Sequence, residues 1–451
     1  MTETKQNKFD PVRGAAMDIL CEAEKLRRNA DEIIIDFIYR HNFDARDIRF
    51  LRQLVHGSIK LKRRLDHDIR FYLSRPSEKL PIRLQAILRL GFFQLFFTDR
   101  IPEAAIVSES VNLARHFVDA ARARLVNAVL RSAIRNPQRR VFIDPRENPV
   151  QHLSDYYSYP DWFVEYCLTE FKYEATEKLL AEMNNPPYLS FRANYIKAKP
   201  EQIAEILKEQ NIDFRPGRYL HEFFCTRQSH DVFDQMVTEG KIYIQDESAA
   251  LPIRLLNPKP GMRVLDLAAA PGGKASYAAV RMRNQGLVAA VDRSRPRLKM
   301  LAENCKIMGI KIVSPVHADN LEFTAEPFDR VILDAPCTGW GNAGKHSDLR
   351  WIKTPDDVEQ LHKVQSMMID KAAKLVRPGG ILVYSTCTVL RKENDEVVEE
   401  FLLRRKDFVL ESAGKYFGDD IVSERGFIKT YPDVEFMSGS FAARLKKTKN
   451  L

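Results

Sequence analysis

Residues 263–274 read Arg-Val-Leu-Asp-Leu-Ala-Ala-Ala-Pro-Gly-Gly-Lys, an apolar run that stops in a turn of small residues and glycines. Such a turn lets the backbone approach a ligand closely, and a helix opening behind it supplies free N–H donors. From about Gly240 onward the same rhythm repeats, short apolar strands alternating with helices. The strands are expected at Arg263–Leu267, Leu287–Val291, Lys311–Val316, Arg330–Asp334 and Ile381–Ser385. That alternation predicts a parallel sheet with helices on both faces, a Rossmann-like α/β domain over residues 241–451. Ligands of such sheets bind at the carboxyl ends of the strands. The turn is not G-x-G-x-x-G, which argues against a dinucleotide, and it lacks the Lys-Ser or Lys-Thr of a phosphate-binding loop.

Acidic residues close the first three strands. Asp266 lies in the first, Asp292 ends the second twenty residues after Gly272, and Asp319 follows the third. An acid at the position of Asp292 can hold the two hydroxyls of a ribose. Asp319 is placed to accept from an adenine amine. Each could instead be a loop cap, but three in register point to a nucleoside cofactor, and the turn carries Ala268, Ala269, Ala270, Pro271, Gly272, Gly273 and Lys274 into the same site.

The fourth strand ends in Asp334-Ala335-Pro336-Cys337-Thr338 and the fifth in Ser385-Thr386-Cys387-Thr388. A single cysteine is more often a small buried hydrophobe than a nucleophile. Two at equivalent strand ends, each in a Thr-containing loop beside the cofactor, suggest chemistry. Carbon 5 of a cytosine is a poor nucleophile; a thiolate adding at carbon 6 makes it an enamine carbon that can attack the methyl group of S-adenosylmethionine (SAM). Stabilising the charge that develops at ring N3 helps, and Asp334, if held neutral by burial, could donate there. Methylation of exocyclic amines needs no thiol and typically uses an Asn/Asp-Pro-Pro-aromatic loop, which Asp334-Ala335-Pro336-Cys337 is not.

The rest of the 451 residues fits two further domains. Residues 1–140 read as helix after helix, punctuated by Gly57, Arg75-Pro76 and Ile101-Pro102. Residues 150–240 suggest a small α+β module, with a helix starting at Pro160-Asp161-Trp162, a strand at Tyr188–Ala193, a helix at Pro200–Glu209 and a strand at Ile212–Arg215. A linker is placed at Asn136–Pro149. The net charge of +9 is uneven: residues 1–140 hold 27 Lys and Arg against 17 Asp and Glu, and the remainder is close to neutral. Basic clusters stand at Lys60, Lys62, Arg63, Arg64 and at Arg131, Arg135, Arg139, Arg140. A basic domain beside a neutral one suggests a polyanion-binding module. Met1–Arg13 is polar and unlike a secretory signal. Ala86–Phe97 is too short to span a bilayer and reads as a buried helix. Six cysteines without CxxC spacing suggest neither a metal site nor disulfides and fit a cytoplasmic location.

With these motifs in place, the chain resembles the Sun/NOL/NOP family of RNA cytosine-5 methyltransferases, over nearly its whole length. Within it the chain is most similar to the bacterial type that methylates one cytosine of small-subunit ribosomal RNA. The resemblance implies that residues 1–140 are a NusB-like helical RNA-binding domain, on Gly91-Phe92-Phe93-Gln94-Leu95 and Val126–Arg131. It implies a connecting domain at 150–240, and an entry to the catalytic domain at Gln245-Asp246-Glu247-Ser248-Ala249. It implies that Ala268–Lys274, Asp292, Asp319 and Asp334 contact SAM, that Cys387 of the Thr-Cys motif is the nucleophile, and that Cys337 of the Pro-Cys motif assists product release. No metal or membrane enters that chemistry.

Two stretches depart from the family pattern. Gly344-Lys345-His346-Ser347-Asp348 stands where Arg-Arg-x-Pro-Asp is usual, which removes a phosphate contact. Ser438-Gly439-Ser440-Phe441 stands where Asp-Gly-Phe-Phe is usual. Both bear on which RNA is the target. The alternatives are the same reaction on a tRNA or another ribosomal site, a non-catalytic RNA-binding assembly factor, and a DNA cytosine methyltransferase. Cys387 and the lack of a long target-recognition region count against the last.

Overall fold

The computed structural model describes residues 9–75, 79–432 and 437–449, so Pro76 and the first eight residues lie outside it. Two compact units divide the chain: one runs to Asn184 and also takes in His346–Ile352, the other holds Asn185–Lys345 and the chain from Lys353 onward. They do not follow the three sequence segments one for one, because the helices between 149 and 182 count with the first unit.

The first unit is helical: α1 (Pro11–Leu26), α2 (Ala30–Arg40), α3 (Ala45–Lys60), α4 (Lys62–Arg70), α5 (Ile82–Phe97), α6 (Glu103–Phe117), α7 (Ala120–Arg135), α8 (Pro149–Tyr157), α9 (Asp161–Glu170) and α10 (Tyr173–Glu182). Side-chain caps open several of them; Asp10 accepts from Arg13 N at the start of α1, and Asp119 from Arg122 N at the start of α7. α5 is the buried helix expected at Ala86–Phe97, apolar on nearly every face. Its one buried cation, Arg89, is neutralised by Asp66 at 2.7 Å and Glu24 at 2.6 Å. Among the described residues no helix is long and apolar enough to cross a membrane. Gly57 does not break a helix as expected. It lies inside α3, where a Cβ would stand 2.0 Å from the Phe93 ring, so it serves the close approach of α3 to α5. The first basic cluster is also turned inward. Lys62 pairs with Glu24, Arg63 with Asp155 and Asp161, and Arg64 with Asp68. Lys60 is largely buried, which lowers its pKa to about 8. The turn Leu349–Ile352 belongs to this unit: Trp351 Nε1 donates to Ile59 O at 2.7 Å, and the buried Arg350 donates to Asn184 Oδ1 at 2.7 Å.

The second unit begins with β1 (Leu189–Ala193), α11 (Pro200–Glu209), β2 (Arg215–Pro216), β3 (Phe223–Thr226), α12 (Val232–Thr238) and β4 (Ile242–Ile244), an antiparallel sheet in the order β2-β3-β1-β4. The strand expected at Ile212–Arg215 survives only from Arg215. Ile212 instead closes α11, its N–H bonding Leu207 O after Asn211 turns left-handed. Then follow α13 (Leu251–Leu256), β5 (Arg263–Asp266), α14 (Gly273–Arg281), β6 (Leu287–Asp292), α15 (Arg295–Met308), β7 (Val313–His317), β8 (Phe328–Asp334), α16 (Pro355–Lys374), β9 (Val376–Thr386), α17 (Asp395–Arg404), β10 (Phe408–Glu411), β11 (Ile428–Thr430) and β12 (Ser440–Lys447).

The large sheet runs β10-β12-β9-β8-β5-β6-β7, with β11 on β12. β7, β6, β5, β8 and β9 are mutually parallel, and β12 joins β9 antiparallel. Val264 and Leu265, successive on β5, are both fully buried in separate cores on the two faces, which is why the strand reads as a continuous apolar run. The winding reverses beside β5, so a crevice opens at the carboxyl ends of β5 and β8. The small sheet is tied to the large one by Arg192 of β1. Fully buried between the rings of Tyr243 and Tyr277, it donates to Gln245 Oε1 at 2.8 Å and Ser276 Oγ at 2.9 Å.

Candidate active site

A cavity of about 200 Å³ opens at the β5 end of that crevice, lined by Tyr243, Gln245, Asp266, Ala268–Pro271, Gly273, Lys274 and Asp334. The quoted turn therefore forms its floor. Gly272 has φ +107°, open to glycine alone at little cost, and a Cβ there would meet Leu301 at 2.7 Å. Asp292 fixes the turn from the side, accepting from Ala270 N at 3.1 Å and from Ser294 N at 2.8 Å. Asp319 stands exposed beyond β7, accepting from Leu321 N at 2.8 Å, and does not line the cavity.

Asp266 is the acid that the sequence placed in a strand without giving it a role. It is fully buried, and among the described residues no side chain donates a hydrogen bond to either carboxylate oxygen. Burial, with Asp334 adding like charge, pushes its pKa to about 7. A buried acid that no side chain neutralises, in a cavity, suits a cationic ligand, and SAM carries both a sulfonium and an ammonium. The donor and acceptor set thus fits that molecule.

At the far side Lys274 Nζ lies 2.7 Å from Asp334 Oδ2, and Ser385 Oγ donates to Asp334 Oδ1 at 2.8 Å. This corrects the expectation of a neutral, buried Asp334: a third of its side chain is exposed, and it forms an ion pair. The cation comes from the first turn of α14, brought beside β8 because β5 and β8 are neighbours. Burial opposes the charge of Lys274, but Asp334 outweighs it and its pKa is raised.

The two cysteines meet. Cys337 Sγ and Cys387 Sγ are 3.3 Å apart, both as free thiols, at the ends of adjacent β8 and β9. The contact from the Cys337 thiol lowers the pKa of Cys387 below 9.0, with Lys274 helping against burial and Asp334. The same contact, together with burial, pushes Cys337 well above that value. The backbone holds the pair: Gly341 N donates to Cys387 O at 3.0 Å, and Ala335 N to Ser385 O at 2.8 Å.

Two acids with no role assigned from sequence, Glu393 and Asp246 of the Gln245–Ala249 segment, organise these loops. Glu393, fully buried, accepts from Thr338 N at 2.8 Å, from the Thr338 hydroxyl, and from Gln365 Nε2 at 3.0 Å. Burial raises its pKa. Its only sequence signal is an acid six residues after Cys387. Asp246 accepts from Ser248 Oγ at 2.7 Å, from Ser438 Oγ at 2.9 Å, and from Lys345. The two departures from the family pattern therefore meet on one carboxylate, and Gly439 N closes on Gly341 O at 2.9 Å in the Cys337 loop. Lys345 is held by this acid rather than free for a phosphate.

Comparison with known proteins gives the family and the domains. The description "16S rRNA methyltransferase RsmB/F" matches residues 253–446, "NusB family" matches 10–135, and the RsmF/B-like ferredoxin-like domain matches 159–232. The chain is 31% identical to the "Probable ribosomal RNA small subunit methyltransferase B" of Bacillus subtilis, over 88% of this chain and 89% of that one. It is 31% identical to the ribosomal RNA small subunit methyltransferase B of Pseudomonas syringae pv. tomato, over 80% of each. Among solved structures, that of PH0851 superposes with a TM-score of 0.78 at 26% identity, covering 97% of this chain and 99% of that one.

Proposed function

The chain belongs to the RsmB/F family of 16S rRNA methyltransferases, and from that premise we propose that it methylates carbon 5 of a cytosine in small-subunit ribosomal RNA, using SAM and a covalent cysteine adduct. The observation that carries the reading is the pair of thiols 3.3 Å apart beside the Lys274–Asp334 ion pair. An enzyme of exocyclic amines has no use for either thiol.

The ion pair suits cytosine in particular. That base offers an amine donor at N4 beside an acceptor at N3, and the pair offers a carboxylate acceptor beside an ammonium donor. Uracil, with a carbonyl at position 4 and a proton on N3, reverses both. When bound, SAM supplies an electrophilic methyl group at the β5 end of the crevice. Cys387, the thiol whose pKa is lowered, forms the S–C6 bond; the electrons of the C5–C6 double bond move toward N3, where Lys274 stabilises them. Carbon 5 then takes the methyl group. Cys337 gives its own proton to solvent and then, as thiolate, accepts the carbon-5 proton, the C5–C6 double bond re-forms, and Cys387 leaves. Once Cys387 is a thioether, it no longer raises the pKa of Cys337, so the second thiol is released for its task as the first is consumed. The ribose and adenine of SAM fall to the turn Ala268–Lys274 and to Asp292, and Asp319, outside the cavity, is left for the adenine amine.

Bisulfite mapping of small-subunit rRNA from cells with and without the gene tests the proposal. One cytosine should lose its protection when the gene is absent. Protection lost only in tRNA would transfer the same chemistry to that substrate, and no change in any RNA would refute the reading.

A further inference from the structure

Of the two basic clusters in the helical unit, the one around Lys60–Arg64 is consumed internally, as described above. Residues 120–140 differ. They hold six arginines and no acid. Three are accounted for: Arg122 pairs with Asp119, Arg139 lies 6.0 Å from the centre of the Tyr72 ring, and Arg140 pairs with Asp68 and lies 3.9 Å from the centre of the Phe96 ring. Arg124, Arg131 and Arg135 are left on α7, all exposed. No carboxylate among the described residues pairs with any of them; Arg131 bonds Asn127 Oδ1 at 2.9 Å.

These three side chains share one face. Positions 124, 128, 131 and 135 fall in a single stripe of a helix, and the residue between the arginines, Ala128, is small and exposed. The opposite face, Ala123, Val126, Val129, Leu130 and Ala133, is the one buried in the core. Core packing therefore does not explain the arginines. The helix dipole accounts for Arg135 in the last turn, but it disfavours a cation near the start, where Arg124 stands. Along the axis the three lie about 10 and 6 Å apart. A nucleic-acid strand with a charge every 3.4 Å or so of axis can meet each of them. Guanidinium groups, always charged and forked, match phosphate oxygens in pairs.

We propose that the Arg124–Arg131–Arg135 face of α7 is the surface that takes the phosphate backbone of the substrate RNA. The inference rests on the reading above that the substrate is RNA, and it places the contact away from Lys60–Arg64, where charge count alone would also have put it. The test uses the full chain and a transcribed fragment of small-subunit rRNA, with binding measured over a salt series. The triple variant R124Q/R131Q/R135Q should bind about tenfold more weakly or worse at low salt, and its plot of log affinity against log salt should be shallower by about 2 to 3. Its SAM affinity should be unchanged, and its methyl transfer should show a raised KM with kcat retained. R124K/R131K/R135K should keep the parental slope. Arg63→Gln should lower the melting temperature and leave the slope alone. A parental slope and affinity in the glutamine triple variant, or an equal loss of slope in Arg63→Gln, would overturn this surface alone. Failure of the unsubstituted chain to bind RNA would overturn the substrate reading, and this surface with it.

Discussion

Replacing Glu393 should separate shape from charge at the hinge of the two cysteine loops. Its carboxylate accepts from Thr338 N, the Thr338 hydroxyl and Gln365 Nε2 inside a site closed to solvent. In Glu393→Ala, Gln365 keeps its bond to Pro336 O at 2.8 Å, and the Thr338 hydroxyl can turn to Thr388 Oγ1 at 3.1 Å. The Thr338 N–H is left with nothing. One orphaned buried donor costs roughly 1–3 kcal/mol, and losing one buried methylene adds about 0.8 kcal/mol, so a loss of about 2 to 4 kcal/mol is expected. Glu393→Gln keeps one carbonyl for Thr338 N and Gln365, and its new NH₂ faces a hydroxyl that can accept. It also removes a group whose charge burial disfavours. It should stay within about 1 kcal/mol of the parent. Equilibrium urea unfolding measures both, and methyl transfer should fall at least about tenfold in the alanine variant only. Equal stability of the alanine variant and the parent, or equal damage by glutamine, would refute the reasoning.

Lys345→Met should leave the Asp246 carboxylate, its side chain 10% exposed, with its hydrogen bonds from Ser248 and Ser438 but no cation, and cost about 3 kcal/mol, with Lys345→Arg restoring most of it in the same unfolding assay. Asp266 has a folded-state pKa of about 7 against an ordinary 3.8, so the folded state holds a proton that the unfolded state gives up. Its contribution is therefore full below about pH 4 and is lost as pH rises to 7. Relative to Asp266→Asn, the ligand-free parent should lose on the order of 4 kcal/mol between pH 4 and 8, a decline that saturating SAM should flatten. Alkylation of Cys387 by iodoacetamide should be half-maximal below pH 9, and Cys337→Ala should move that midpoint upward, since the Cys337 contact is the largest influence lowering it.

Much of this site was legible because its residues stand at the ends of parallel strands. Strands such as β5 and β6, buried on both faces, show themselves as unbroken apolar runs, and the chemistry must follow them. That reasoning placed the turn at Ala268–Lys274 and both cysteines, and it made Cys337 and Cys387 neighbours. It could not see pairings made across the chain. Asp334 was expected to be held neutral by burial at a strand end; Lys274, sixty residues earlier, arrives only through the strand order. Glu393 and Asp246 look like ordinary surface acids until the loops close over them. Lys62, Arg63 and Arg64 look like a phosphate-binding patch until Glu24, Asp155, Asp161 and Asp68 fold against them. Gly57 read as a breaker because its crowding by Phe93 is a tertiary fact.

The division of labour between the two thiols is tested most directly on a denaturing gel. Cys337→Ala, incubated with small-subunit rRNA and SAM, should accumulate a protein–RNA adduct that survives denaturant, because the S–C6 bond forms and the carbon-5 proton is not removed. Cys387→Ala should form no such adduct, even with RNA carrying 5-fluorocytosine. An adduct that persists in Cys387→Ala and is missing in Cys337→Ala would reverse the roles and contradict the account.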